Sequence, residues 1–314
     1  IMLGLGFIAI RMFGQGSLTL VSQNIINQWW VRRRGMVMGI SGILVGLFGL
    51  GLFPRIVNDL IPVYGWQNTY IMLGLSLFML MVPTGLLFFH NRPEDYGLQP
   101  DGGLVKPGQD DNPGPVIEEN WSLQEANRTP VYWALALGMG STSMLSTGLF
   151  FHMVSIFDDN GLSTTVAASA FLPIAITSGL VNLSGGILID RIPPRFLLAG
   201  ALFSQTGALI LAQHLTGVTS AFIYGIILGT SMGLIGTVNG VVWAKYFGRQ
   251  HLGSITGMTT SILIIGAAIG PLPLGFARDL LGSYNLALTV GAILPLVLGL
   301  VNLFFDQPRK YSTT

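Results

Sequence analysis

Long apolar runs, separated by short polar segments, dominate the pattern of this chain. A helix that crosses the hydrocarbon core of a bilayer needs about 20 mostly apolar residues. Nine runs of roughly that length or more follow one another: 2–29, 35–58, 66–89, 130–157, 163–189, 196–214, 218–246, 253–277 and 284–305. They lack the alternation of apolar and polar positions that is typical of a membrane barrel. The pattern predicts an all-α polytopic membrane protein with nine transmembrane helices.

The composition agrees with a membrane protein and excludes several kinds of functional site. Only 9% of the 314 residues are charged, against about 25% in an average soluble domain. The chain has no cysteine, which excludes disulfides and thiolate chemistry. No pair of histidines has metal-ligand spacing, and no nucleophile–base set stands out. We therefore expect no metal and no cofactor, and the sequence argues against an intramembrane enzyme.

One long polar segment divides the runs into three before it and six after it. Residues 90–128 are rich in proline and acids and are expected to form a partly flexible linker. If the linker is cytoplasmic, twelve Lys and Arg residues near span ends lie inside and only Arg55 and Arg278 lie outside. This bias follows the positive-inside rule, so we expect the linker and the C-terminus in the cytoplasm.

An internal repeat relates the two sides of the linker. The stretch WVRRRGMVMGI from Trp30 resembles FGRQHLGSITG from Phe247, at an offset of about 217 residues. The three spans before the linker thereby match the last three spans after it. The simplest interpretation is a six-plus-six repeat that lacks its first three helices. The predicted parts are 1–89 (last three helices of the first half), 90–128 (linker), 129–306 (six-helix second half) and 307–314 (tail).

Three stretches resemble motifs of the major facilitator superfamily. The stretch GGILIDRIPPR is similar to its loop signature, and the matching positions are Gly186, Leu188, Asp190, Arg191 and Arg195. RMFGQGS resembles the superfamily's fourth-helix signature, and RPEDYGLQPDG resembles the central loop of bacterial members near the monocarboxylate and oxalate/formate branch. The resemblance implies helices 4–12 of a transporter that works by alternating access. In that branch basic residues of the eighth and eleventh helices meet carboxylate substrates, whereas 163–189 and 253–277 contain no Lys or Arg.

Arg11 stands inside the first apolar run without an acid nearby. A charged side chain at the bilayer centre costs roughly 2.5–3.5 kcal/mol on insertion scales, so it normally faces a cavity or a partner. Gln15, Thr19 and Gln23 follow at helical spacing and make one polar stripe. We expect Arg11, Gln15 and Thr19 to contact a solute or a coupling site. The alternative is that Arg11 caps carbonyls or pairs with a structural carboxylate of the missing helices.

Three further side chains are candidates for the solute or coupling site. His152 lies toward the outer end of the fourth run, where an imidazole could relay protons, or could simply lie at headgroup depth. Asn239 and Trp243 are four residues apart on the seventh run, which corresponds to a cavity-lining helix of the superfamily. An amide and an indole can bind a small solute, but Trp243 could equally belong to the interfacial aromatic belt.

Asp190 is the candidate for a cytoplasmic gate. By the resemblance, this loop acid meets the start of a helix in the other half, here Arg34 and Gly35, and closes the cytoplasmic side. Arg191 and Arg195 belong to the same motif. The alternative is that this loop only anchors the chain by its positive charge.

We therefore expect a secondary transporter of the cell membrane that moves a small solute, which could be a small organic anion, with a proton or counter-solute. We expect a monomer and no nucleic-acid partner. Two alternatives stay open: a sensor or regulator with the same fold that transports nothing, and an inert truncated fragment.

Overall fold

The computed structural model describes residues 18–45, 48, 53–90, 92–102 and 119–308. Within these ranges the chain forms twelve α-helices, which we number in chain order: α1 Leu18–Trp29, α2 Arg34–Val45, α3 Phe53–Phe88, α4 Leu123–Asn127, α5 Pro130–Asp159, α6 Thr164–Ser169, α7 Phe171–Ile189, α8 Pro194–Leu211, α9 Val218–Phe247, α10 Leu252–Ile269, α11 Pro271–Leu281 and α12 Asn285–Phe304. Two short 3₁₀ turns, Pro93–Tyr96 and Pro100–Gly102, lie in the linker.

The all-helical membrane architecture predicted from the sequence is confirmed. In the described part of the chain, seven helical stretches are long and apolar enough to cross a membrane, with α6–α7 and α10–α11 each counted as one. Most of the first predicted run, including Arg11 and Gln15, lies outside the described residues. The count of nine spans therefore stays a prediction.

The second and third predicted spans differ from the observed helices. The sequence predicts one span that ends near 58 and another that begins near 66. In the described part of the chain, α2 covers Arg34–Val45, and α3 continues from Phe53 through the predicted loop. The only non-helical residue inside α3 is Gly65, with φ 75°. Glycine has no Cβ and adopts this left-handed value without strain, so the loop is reduced to a kink.

The helices after the linker pack around two apolar clusters. The first lies toward the linker-side end and contains Tyr132, Trp243 and Phe247, each 1% exposed or less. The second lies toward the other end and includes Phe157 and Tyr224 from α5 and α9. By contrast, the most apolar 18 residues of the span within α3 have no buried side chain, and Thr69 is the one residue given as buried in the described part of that span. The tightly packed body of the described chain is thus the six-span part after the linker, to which α1 and α2 are attached.

The start of the linker is fixed by one carboxylate. Asp101, which has φ 63°, accepts hydrogen bonds from the backbone N–H groups of Val31, Arg32 and Arg33 at 2.9–3.3 Å. These N–H groups precede α2, where the unpaired N–H groups and the helix dipole favour an anion. The linker was expected to be partly flexible, yet this part of it is bound to the turn between α1 and α2.

Candidate functional site

Helices α2 and α7 make backbone contact near their linker-side ends. A methyl group added at Gly35 would collide with the carbonyl oxygen of Gly186, and a methyl group added at Gly186 would collide with the carbonyl oxygen of Gly35. One turn further on, a Cβ at Gly39 would lie 3.2 Å from the Cα of Leu183. Only glycine allows backbones to approach this closely. We call this pairing of Gly35 and Gly186, together with Asp190 at the end of α7, the α2–α7 contact.

The Asp190 carboxylate closes the linker-side edge of the α2–α7 contact. Its Oδ1 accepts a hydrogen bond from the backbone N–H of Gly35 at 3.2 Å. Gly35 belongs to the first turn of α2, so the acid occupies the positive end of that helix. Asp190 and Gly35 are separated by 155 residues and lie on opposite sides of the linker. The structure therefore brings these two predicted gate residues together.

The ionisation of Asp190 is set by competing effects. Partial burial raises the pKa of its carboxyl group above the usual value, and this is the largest effect. The N–H groups of Gly35 and Met36 act in the opposite direction because they stabilise the charged form. The positive charges of Lys245 and Arg34 also lower the pKa, but less. The proton is therefore held more tightly in the contact than on an aspartate in water.

Two cations flank Asp190, and each also secures a helix end. The buried guanidinium of Arg34 donates from Nε to the carbonyl oxygen of Trp30 at 3.0 Å and from Nη2 to that of Asn27 at 3.4 Å. It thus satisfies carbonyls at the C-terminus of α1. Lys245, near the end of α9, donates from Nζ to the carbonyl oxygen of Ile189 at 2.7 Å. Both charges are positioned by backbone carbonyls next to the carboxylate.

The remaining two predicted gate residues lie away from the α2–α7 contact. Arg195 pairs with Asp306 at 3.2 Å and lies 4.9 Å from the ring centre of Phe196. It therefore joins the start of α8 to the segment after α12. Arg191 is exposed. From the motif stretch, Gly186, Ile189 and Asp190 contact the start of α2.

Helix α1 makes a second set of bonds across the linker boundary. Asn27, which is 3% exposed, donates from Nδ2 to the carbonyl oxygen of Gly240 at 2.8 Å. Gln28 and Arg249 exchange two hydrogen bonds: the amide of Gln28 donates to the Arg249 carbonyl at 2.9 Å, and the guanidinium donates to the Gln28 carbonyl at 2.7 Å. Arg249 also pairs with Glu94 of the linker at 2.9 Å. Charged and buried polar groups therefore hold both halves and the linker together at this end.

The predicted solute-site residues are not gathered at one place in the described chain. Thr19 is exposed on α1, while Arg11 and Gln15 fall outside the described residues. Trp243 is 1% exposed and donates from Nε1 to Asn239 Oδ1 at 3.1 Å. The rings of Tyr132 and Phe247 lie 5.4 and 6.1 Å from Trp243, centre to centre. The indole is therefore packed inside the second half, and in this arrangement it presents no free face to a solute.

His152 lies at a junction of three helices near the other end. Its Nδ1 is 3.2 Å from the hydroxyl of Tyr284, and its Nε2 is 3.0 Å from the carbonyl oxygen of Pro271. The Tyr284 hydroxyl is also 3.0 Å from Ser155 Oγ. The imidazole therefore faces the start of α11 and the residue before α12, and both of its nitrogens are engaged.

Several residues that form these contacts were not predicted from the sequence as site residues. The sequence marks Lys245 only as one of the twelve inward-facing cations, and it marks Gly186 only as a motif position. Nothing in the pattern singles out Asn27. The signal for Gly186 was available, because Gly35 and Gly39 repeat at helical spacing and need a partner helix that also carries a small residue. No local pattern indicates the bonds of Lys245 and Asn27, since their partners are backbone carbonyls of distant helices.

The chain belongs to the Major Facilitator Superfamily, whose family model matches residues 2–271. The resemblance inferred from the motifs is thereby confirmed. The matched region includes α1, α2 and their partners α7, α9 and α10, so the α2–α7 contact and the bonds of α1 lie within it, whereas Tyr284 and Asp306 lie beyond it.

Curated relatives are transporters by name. The chain is 28% identical over 265 residues to an uncharacterized MFS-type transporter, YhjX, of Escherichia coli, covering 82% of this chain and 59% of that protein. It is 23% identical to monocarboxylate transporter 10 of Danio rerio, covering 88% and 53%. It is 21% identical to a probable L-galactonate transporter of Escherichia coli, covering 97% and 71%. The chain thus spans only 53–59% of the length of the first two relatives.

Proposed function

We propose that the protein to which this chain belongs is a secondary transporter that moves a small solute across the cell membrane by alternating access. The observation that carries this proposal is the α2–α7 contact. It joins a helix before the linker to one after it through touching backbones and a single carboxylate–amide bond. Such a contact can separate and re-form as a unit, which two rocking halves require.

In this proposal the α2–α7 contact is the cytoplasmic gate. The linker and the C-terminus are cytoplasmic, as the distribution of Lys and Arg predicts, and the described helices correspond to helices 4–12. With the gate closed, Asp190 holds the N-terminus of α2, while Lys245 holds the last carbonyl of α7. Opening toward the cytoplasm breaks the bond between Asp190 and Gly35. Arg34 keeps its bonds to α1 during this movement, so α1 and α2 move together.

A small organic anion is the solute class that the proposal favours. Arg11 is a cation within an apolar run, and Gln15 and Thr19 continue the polar face on which it lies. A guanidinium offers a planar fork of donors that matches a carboxylate. Two relatives are named for carboxylates, a monocarboxylate and L-galactonate. We propose that Arg11 binds the carboxylate, and that the protein works as a monomer with a proton or counter-solute.

Uptake by the whole protein tests this proposal. The protein is reconstituted in liposomes, and uptake of radiolabelled lactate and L-galactonate is measured with and without a proton gradient. We expect gradient-driven accumulation of at least one probe. Arg11→Ala should abolish it, Arg11→Lys should restore it poorly because lysine lacks the planar fork, and the control Arg32→Ala, an exposed loop arginine, should transport normally.

Two results would contradict the proposal. Normal uptake by Arg11→Ala would remove this arginine from the solute site. A probe that binds and alters a cellular reporter without any flux would favour the sensor instead. Comparing the 314-residue chain with the whole protein in the same assay distinguishes an inert fragment from a working transporter.

A further inference from the structure

The two nitrogens of the His152 imidazole differ in whether their protonation can change. Nε2 faces the carbonyl oxygen of Pro271 at 3.0 Å, and a carbonyl can only accept a hydrogen bond. Nε2 therefore carries a hydrogen in every state that keeps this contact. Nδ1 faces the hydroxyl of Tyr284 at 3.2 Å, and a hydroxyl can donate or accept. Only Nδ1 can thus change its protonation without breaking a bond.

The hydroxyl of Tyr284 lets the hydrogen bond to Nδ1 change direction. Tyr284 donates to Ser155 Oγ, 3.0 Å away, so its oxygen is left to accept from a protonated Nδ1. With a neutral ring, the single hydroxyl hydrogen of Tyr284 can instead turn to Nδ1, at the expense of the bond to Ser155. Binding a proton at Nδ1 therefore costs no hydrogen bond and frees Tyr284 to bond Ser155, whereas an imidazole that accepts from a fixed donor would lose a bond.

The charged groups at this end leave room for the added charge. Arg278 of α11 lies 5.6 Å from the ring centre of Tyr284, and its guanidinium is bound to Asp159 of α5 at 2.6 Å. The acids Asp158 and Asp279 are the other charged side chains on these two helices near the site, and both are exposed. The nearest cation is therefore paired with an acid of the same helix as His152. A charge on the imidazole meets a neutralised pair rather than a bare guanidinium.

His152 lies beside the break between α10 and α11. Pro271 is the first residue of α11, directly after the break at Gly270 that separates α10 from α11. Gly270 is in backbone contact with Met144 of α5, and the ring of His152 lies 3.8 Å from where a Cβ of Gly275 would be. Because the imidazole bonds the start of α11 and the residue before α12, its charge acts on two helices at once.

We propose that His152, Tyr284 and Ser155 form a reversible proton-binding site at the junction of α5, α11 and α12. The ligand is a single proton on Nδ1, delivered from water at this end of the bundle. Imidazole is the side chain that ordinarily changes charge between pH 5 and 8. Use of this proton to drive solute movement rests on the proposed function, but the binding site itself does not.

Nitrogen-15 NMR of the whole protein in lipid bilayers, labelled at histidine, tests the site. The His152 signals are assigned by their loss in His152→Gln. Between pH 8 and 5 we expect Nε2 to keep its hydrogen and Nδ1 to gain one. Tyr284→Phe should weaken proton binding by about three- to tenfold, since a hydrogen bond from a charged ring is roughly twice as strong as a neutral one. The signals of His214, which is exposed at the same end, serve as the control and should be the same in both proteins.

Two outcomes overturn the site: a His152 Nδ1 that does not titrate over this range, or a titration that Tyr284→Phe leaves unchanged. If His152→Gln does not fold, the signal that responds to Tyr284→Phe makes the assignment, and the absence of any responding signal also overturns the site. No solute or gradient is used, so failure of transport and failure of proton binding are read separately.

Discussion

Replacing Gly186 by alanine should open the α2–α7 contact. The added methyl group would collide with the Gly35 carbonyl oxygen and lie 3.2 Å from both the Gly35 carbonyl carbon and the Cα of Gly39. These are backbone atoms that cannot rotate away, so the two helices must separate. Overpacking of this kind costs about 1–3 kcal/mol. The gain in helix propensity of alanine over glycine is the same in both states, because α7 is helical in both, so it does not change the closed-to-open ratio. A cost of about 1–2 kcal/mol, in the lower part of that range, lowers the ratio by about 5- to 30-fold.

Gly179→Ala is the matched control. Gly179 lies on the same helix, α7, and nothing lies within 4 Å of the position its Cβ would take. The control therefore makes the same gain in helix propensity without the collision. Any effect of Gly186→Ala that Gly179→Ala shares would come from the helix itself and not from the contact.

Labelling of a single cysteine measures the opening. Met38 is 8% exposed, and its side chain packs over Gly240 of α9, so a cysteine at position 38 is covered while the contact is closed. In the whole protein, with any other cysteine replaced, Gly186→Ala should raise the rate of maleimide labelling of Met38→Cys about 5- to 30-fold. Gly179→Ala should leave it unchanged. Equal labelling rates in Gly186→Ala and Gly179→Ala would refute the reasoning. Gly35→Ala creates the same collision from the other helix and should raise the labelling rate in the same way.

Three further predictions concern the same end of the bundle. Burial raises the pKa of Asp190 in the closed contact, so protonation of Asp190 favours closure. The labelling rate at position 38, corrected for the reactivity of a free thiol at each pH, should fall as the pH is lowered toward the usual aspartate pKa of 3.8, and Asp190→Asn should remove this pH dependence. Faster labelling at low pH would contradict the predicted sign. Asn27→Ala removes the side-chain bond that joins α1 to the Gly240 carbonyl of α9 and should lower the free energy of unfolding by about 0.5–1.5 kcal/mol, which a lower thermal midpoint would show and an unchanged one would exclude. Glu94 is the exposed partner of its ion pair with Arg249, so a double-mutant cycle of Arg249→Gln and Glu94→Gln should give a coupling of only about 1 kcal/mol or less. A larger coupling would show that the pair is shielded from water.

The sequence by itself determined the class of the protein and the membrane-spanning helices after the linker. Apolar runs of membrane length are a local property, because each residue in such a run must bury its side chain in lipid or in other helices and satisfy its backbone within the helix. The repeat and the loop motif sufficed to identify the superfamily. The same motif predicts that Asp190 lies near Gly35. In the structure, Asp190 Oδ1 lies 3.2 Å from the backbone nitrogen of Gly35, although the gate itself stays a proposal.

Only the tertiary structure decided how the side chains are used. Trp243 and Asn239 have the spacing of a binding pair, but the packing of Tyr132 and Phe247 encloses the indole. In the sequence, Lys245 is one of twelve inward-facing cations. Only the tertiary structure places its ammonium group next to the last carbonyl of α7. Helical periodicity states which residues share a face, but it does not state which distant helix covers that face. The partner helix is set by contacts between backbones that are more than a hundred residues apart in the chain. Gly35 and Gly186 can make such a contact because neither has a Cβ.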